Sequence, residues 1–529
     1  VNFLLGAIFI GAIAISNVSS AKAADRVVIA TSPTGGETNL FWQTTGAFLY
    51  PSLNTLVGND PVTGVYDNSQ LAERWEHNDD FTSWTFYLYE EARFHDDWGP
   101  VTADDVVHSF KLTIGEDSKA AGVSALREVT ATAVDAHTVR FDLPAPEPEF
   151  LFSNAGRGAL AIYSKAQFDA EGLDGYRRQP AGSGPFRYEG TELGQSILFS
   201  SIKDHWTGID VPFHELEFRG VSEPSTRLAM LISGEANAVT LPFDLQKTAI
   251  DNGHKVLTSS QGAQQTGWVF TGPFMSEANT EEERDATKFP YADVRVREAM
   301  NRAIDRDALL EALYGEGARK LSVFSMDPRF PGYTAELDER FDTEYGYDPE
   351  RARELLAEAG YPDRFDDPTV PIILTTLAGS PEFAQLAELA QAYFEQVGIQ
   401  TEIREMDYGS TWASIRGLTA DFLQPVRNAP VRPAALGVQI FFTKNISPWG
   451  TVGDEELDTL GEMLVEETNP DARSDLLSKM FVRLFENYGN IPIATVLTKV
   501  VVNSDSVEGW TFPGATSTGL GHYHLIRLK

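Results

Sequence analysis

Five hundred and twenty-nine residues exceed what one hydrophobic core serves, so two or more domains are expected. The content of 42% hydrophobic and 11% aromatic residues excludes wholesale disorder, and a formal net charge of −35 argues against nucleic acid and anionic membranes, whose approach would meet repulsion. The absence of cysteine excludes disulfides, thiolate metal sites, thiol nucleophiles and a lipidated anchor; the acidity itself reads as a solvated surface suited to a saline habitat.

Phe3 to Val18 is the one apolar run able to cross a membrane, and it ends at Ala21-Lys22-Ala23-Ala24, a signal-peptidase pattern. Residues 1–24 are therefore expected to be a cleaved signal peptide, and the mature protein periplasmic. Arg26 to Thr31 reads as the first strand and Ser32 to Glu37 as a Gly-rich loop leaving it. Phe48 to Gly64 runs through a leucine-valine pair, Leu56-Val57, to a turn. Asn68 to Phe110 is a compact unit: a short helix closing at Trp75, a turn at Asn78 to Asp80, a strand over Thr82 to Leu88, turn chemistry at His95 to Pro100, and a helix capped by Thr102 with Asp104 and Asp105 in its first turn. Val129 to Leu143 predicts two strands joined through Asp135-Ala136-His137, and Pro144 to Pro148 breaks the chain.

Pro180 to Tyr188 (PAGSGPFRY) predicts a turn in which glycines supply positive φ and Pro185 sets the entry to a strand. Ser183 there lacks the Gly-x-Ser-x-Gly context of a nucleophile elbow. Glu215 to Thr240 alternates strand and helix, and Trp268 to Thr271 is a strand. Val294 to Tyr314 holds two helices with a restart at Asp305. Asp348 caps a helix that begins at Pro349 and stops at Gly360. An amphipathic helix over Pro381 to Val397 is followed by Gly398 and a strand over Ile399 to Ile403. No P-loop, dinucleotide fingerprint or HExxH is present. His95-Asp96-Asp97 and His522-x-His524, the second placed on a C-terminal strand, lack the further ligands of a metal site. No metal, no cofactor and no catalytic group is therefore expected.

LAERW and FHDDWGPVTADDVVHSF, then VRVREAMNRAIDRDALLEALY, then DPERARELLAEAGYP, then the helix, glycine and strand of Ser380 to Ile403 occur in an order that resembles the extracytoplasmic solute-binding proteins of ABC importers, family 5, the peptide, nickel and opine type. The resemblance implies an α/β, two-lobed periplasmic binding protein fold (class II, cluster C type) with a discontinuous first lobe and an extra inserted subdomain. Lobe I would comprise 25–50, 174–265 and 490–529, the inserted subdomain 51–173, and lobe II 266–489. It implies a monomer without a membrane anchor that captures an oligopeptide or related small polar organic solute by hinge closure and passes it to an ABC permease in the inner membrane. The alternatives are an opine, glycoside or other anionic metabolite as ligand, a sensor that presents its closed form to a chemoreceptor, and, from another class, a secreted metal-dependent hydrolase.

By the same resemblance, the segment after Ile403 enters the ligand cleft. Peptide binders of this kind carry there a Trp and an acidic residue before Pro. Here no acid follows Asp421 up to Pro433, and Arg427 and Arg432 appear beside Asn428. An arginine in a dry cleft pairs in parallel with carboxylate or phosphate, whereas on the surface it would pair with this chain's own carboxylates. Trp42, Trp268, Trp412 and Trp449 are the candidate aromatic walls. Thr271, at the lobe crossover, and Arg416, near Trp412, complete the expected ligand-binding set.

Overall fold

A computed structural model describes residues 25–32, 50–116, 118, 126–151, 160–271, 289–362, 372–377, 381–417, 419–428, 434–443, 454–514 and 521–529. In chain order the strands are β1 (Arg26–Thr31), β2 (Gly58–Asn59), β3 (Tyr66–Asp67), β4 (Ala72–His77), β5 (Ser83–Leu88), β6 (Thr130–Asp135) and β7 (Thr138–Asp142). There follow β8 (Phe186–Glu192), β9 (Ser196–Ser201), β10 (Glu215–Gly220), β11 (Ala238–Val239), β12 (Lys255–Phe270) and β13 (Arg319–Lys320). The last are β14 (Ile372–Leu377), β15 (Thr401–Met406), β16 (Leu423–Asn428), β17 (Asn490–Val502), β18 (Val507–Gly509) and β19 (Arg527–Leu528).

Among the described residues eleven strands form one mixed sheet in the order β15-β14-β16-β12-β17-β11-β1-β10-β9-β8, with β13 paired to β17. It is buried on both faces in both halves, and the strand period of two shows why. At one end Trp268 and Phe270 enter one core while Val269 enters the opposite one, as do Ile372 and Leu374 against Ile373. At the other end Val27 and Ile29 face one cluster and Val28 and Ala30 another, with Val500 and Val502 against Val501. The chain is thus a two-lobed α/β protein, each lobe built around its own half of the sheet.

A second sheet, β4-β5-β7-β6, holds a separate aromatic core. The buried positions of β5, Trp84, Phe86 and Leu88, alternate along the strand, and Phe86 and Phe110 each meet the Phe141 ring edge-on. The helix Ala103–Ile114 starts as its sequence predicts: Asp105 accepts hydrogen bonds from both the backbone N–H and the hydroxyl of Thr102, at 2.8 and 2.7 Å. LAERW, in contrast, is not a helix. Ala72 to His77 is the edge strand β4, with Trp75 opposite Phe86. Ala, Glu and Arg favour helix in isolation, but Leu71 and Ala72 donate their N–H groups to Thr55 and Leu56 carbonyls, which holds the chain extended, and the charged side chains then guard an exposed edge.

The PAGSGP turn forms for a different reason than positive φ, which neither Gly182 nor Gly184 adopts. A Cβ on Gly182 would stand 1.8 Å from the Ser52 carbonyl oxygen, and one on Gly184 2.6 Å from that of Pro51. The glycines let two backbones touch. The turn's carbonyls also serve as acceptors, Gly184 for His95 Nε2 at 2.7 Å and Ser183 for Trp206 Nε1 at 2.8 Å. Gly182→Ala is expected to lower stability by about 3 kcal/mol, because backbone rather than a flexible side chain must retreat; urea denaturation measures this, and a loss below about 0.5 kcal/mol would refute the contact.

The helices Val294–Arg302, Arg306–Leu313 and Pro349–Glu358 begin at Asp293, Asp305 and Asp348, whose carboxylates accept first-turn N–H groups. After the helix Pro381–Gln396 the strand starts later than the expected Ile399. Gly398 adopts φ +88° and Ile399 N–H closes back on the Phe394 carbonyl, so pairing with β14 begins at Thr401.

Candidate functional site

Two long strands join the lobes. Residues Lys255 to Thr258 of β12 pair with Val502 to Lys499 of β17, beside β11, whereas Gly262 to Val269 pair with Leu497 to Asn490, beside β16. The register slips between Thr258 and Gly262, again before Gln264 and again before Gly267. Bulges of this kind interrupt the ladder and let a strand bend, so a ribbon of two irregular strands can bend between the two cores. Ser260 and Gln261, in the slipped stretch, donate to the carbonyls of Pro61 and Val62 at 2.8 and 2.9 Å.

The lobes also meet away from the strands. Arg473, in the helix Pro470–Glu486, donates to the carbonyls of Leu464 and Glu467 and reaches Glu149, beyond β7, at 3.1 Å. Burial pushes the Glu149 carboxyl above its usual range, and Arg473 pulls it back only in part.

The expected site residues scatter over this frame. Trp268 is 1% exposed within a core, opposite Pro425 on β16 and Ile491 on β17. Thr271 is buried; its hydroxyl bonds the Phe422 carbonyl and its own carbonyl accepts from the Tyr291 hydroxyl. Trp412 lies on the helix Tyr408–Arg416 and packs against the core that contains Ile415 and Phe422. Arg427 points out of β16, pairs with Glu382 at 3.2 Å and lies over the Phe383 ring; a partner from this chain's own carboxylates is what a surface arginine finds. Asn428 is buried with Gln265 and Ser325, its Nδ2 at 3.5 and 3.4 Å from their side-chain oxygens, and its Oδ1 has no partner among the described residues. The side chain of Arg416, and Trp42, Arg432 and Trp449 entirely, lie outside the described residues.

A cavity of about 250 Å³ opens beside Asn54, Asn59, Gln70, His205, His522 and His524. His522-x-His524 lies there on a short 3-10 turn, Tyr523–Leu525, rather than on the expected strand. His522 Nε2 donates to the Asn59 carbonyl at 2.9 Å, since a carbonyl only accepts. Burial, with help from the neighbouring His522, pushes His524 down to about 4. No group of three or more His, Asp or Glu side chains among the described residues is placed to hold a metal ion.

Sequence reasoning did not find the Gln265, Ser325 and Asn428 cluster or the crossover contacts of Ser260 and Gln261. Their partners lie tens to hundreds of positions away, and Ser325 adopts φ +72°, which its type does not announce.

Residues 68–446 match the family model of bacterial extracellular solute-binding proteins, family 5, middle segment. The chain belongs to that family. It is a solute-binding protein of the kind that serves ABC importers, in a family of binding proteins rather than enzymes. It is 29% identical over 469 residues to heme-binding protein A of Haemophilus influenzae, covering 80% of this chain and 78% of that one. It is 27% identical over 365 residues to the dipeptide-binding protein of Escherichia coli, covering 64% of this chain and 63% of that one. In fold it matches CtaP, an ABC transporter substrate-binding protein of Listeria monocytogenes, with TM-score 0.77 at 18% identity over 96% of this chain and all of the other. HbpA2 of Haemophilus parasuis matches with TM-score 0.74 at 22% identity and the same coverage. The solute-binding protein has, among its described residues, no helix long and apolar enough to cross a membrane.

Proposed function

We propose that this solute-binding protein captures an oligopeptide or related small polar organic solute between its lobes, without altering it, and delivers it to an inner-membrane permease as a monomeric periplasmic protein. The bulged two-strand crossover carries the reading. A ligand that touches both lobes favours the closed form by its differential affinity, and closure removes water, which strengthens each polar contact in the cleft. The relatives named for dipeptides, di- and tripeptides and glutathione support a peptide-sized polar ligand.

A tetrapyrrole is the second reading, supported by the relative named for heme, whose match extends over 80% of this chain. Native mass spectrometry of gently purified protein is expected to show a peptide-sized adduct, and X-ray scattering a smaller radius of gyration once the released compound is added back. A Soret band in the purified protein would replace peptide by tetrapyrrole. A shape indifferent to saturating ligand, or chemical conversion of the ligand, would overturn the reading.

A further inference from the structure

A second cavity, of about 270 Å³, lies at the crossover itself, against Ser260, Gly262, Arg319, Asp327, Arg329 and Thr495. Two of these are arginines and one is an acid. Asp327 is buried, with 1% of its side chain exposed, and both its oxygens are occupied by Arg329: Nε to Oδ1 at 2.8 Å and Nη2 to Oδ2 at 3.2 Å. Arg329 spends a further Nη2 contact on the Gly262 carbonyl at 3.4 Å, while its Nη1 makes no hydrogen bond to a described residue. Arg319, opposite Thr495 on β17, stands 3.6 Å from Asp327 Oδ2. That distance is an ion-pair contact but too long for a hydrogen bond, so the Arg319 guanidinium keeps its donors uncommitted. The neighbouring Asp338 carboxylate is already held by the hydroxyls of Ser322 and Tyr333.

One carboxylate thus faces two guanidinium groups, and the cavity wall carries a net positive charge in a chain whose formal charge is −35. A planar guanidinium with free N–H groups binds oxyanions in parallel pairs. We propose that the crossover cavity is a binding site for a small oxyanion, a phosphate, sulfate or free carboxylate, with Arg319 and Arg329 as its donors. The occupant would tie the segment 317–329 to the slipped stretch of β12, and Arg329 also reaches the other side: its Nη1 stands 3.4 Å from where a Cβ of Gly64 would lie. Anion binding there stiffens the link on which lobe motion depends.

Inorganic phosphate is the probe, titrated calorimetrically into ligand-free protein at constant ionic strength. Saturable one-site binding is expected, weakened at least tenfold in Arg319→Gln, a half-exposed position whose loss leaves Asp327 paired. Arg329→Lys, which keeps the charge but loses the fork, is expected to weaken it as well. Sulfate and acetate, run in parallel, show which oxyanion fits. The result that overturns the proposal is an absence of saturable binding in the wild type, or equal binding in Arg319→Gln. Phosphate binding is read with no co-purified ligand present, so its failure is distinguishable from a failure of the proposed transport function, which native mass spectrometry and scattering of the wild type test.

Discussion

Trp268→Ala is expected to lower the unfolding free energy by about 3–5 kcal/mol and to leave ligand affinity per folded molecule unchanged. The indole is 1% exposed on β12, at the centre of the sheet, and shares its core with Phe270, Leu374, Leu423 and Ile491. Each of these neighbours comes from a strand fixed by its own pairing, so the space left by truncation cannot close by a simple shift, and the loss of transfer energy is compounded by a cavity. Trp268 Nε1 has no hydrogen-bond partner among the described residues. Trp268→Phe therefore relieves an orphaned donor while it removes volume, and should cost only about 1–2 kcal/mol. Urea denaturation gives both values. Unchanged stability with weakened ligand binding would place the indole in the cleft instead.

Acidification from pH 7 to pH 4 is expected to remove about 3 kcal/mol of stability through His95 alone. This imidazole is 6% exposed; its Nε2–H donates to the Gly184 carbonyl, and Nδ1 has no partner among the described residues. Burial pushes it down to about 4 from the ordinary 6.5. The unfolded chain takes up the proton near 6.5, while the folded chain refuses it until about 4, so within that window the unfolded state binds more protons and gains. Above 6.5 the effect vanishes, and below 4 it is complete. His524, also pushed down to about 4, acts in the same direction, whereas buried Asp105 and half-buried Glu147 and Glu149, whose carboxyls desolvation raises, act in the opposite one. His95→Gln retains an N–H for the Gly184 carbonyl and titrates nothing, so the difference between its pH–stability curve and that of the wild type isolates the histidine. Parallel curves would show that His95 takes up its proton as readily in the folded chain as in the unfolded one.

The histidine and the glycines of PAGSGP belong to one contact that is only half visible in the chain. Positive φ is a local property, and it was the local reason to expect glycine there. The actual reason is the approach of Pro51 and Ser52, and no local pattern encodes it. The same holds for LAERW, where intrinsic helix propensity loses to two backbone hydrogen bonds donated by Leu71 and Ala72 to the carbonyls of Thr55 and Leu56. Arg427 was legible as an arginine that needs an anion; that the anion is Glu382, from the first turn of the helix Pro381–Gln396, depends on how that helix packs on β16.

What the sequence determined by itself is therefore whatever acts within a few residues: the caps at Thr102, Asp305 and Asp348, the alternation of β5, and the ordered motifs that assign the chain to its family. Which strands cross between lobes, which tryptophan is core, and where two arginines converge on one buried carboxylate were decided only by the tertiary structure. The physical reason is that short-range hydrogen bonding and periodicity are properties of neighbouring residues, whereas burial and charge pairing are set by surfaces brought together from distant parts of the chain.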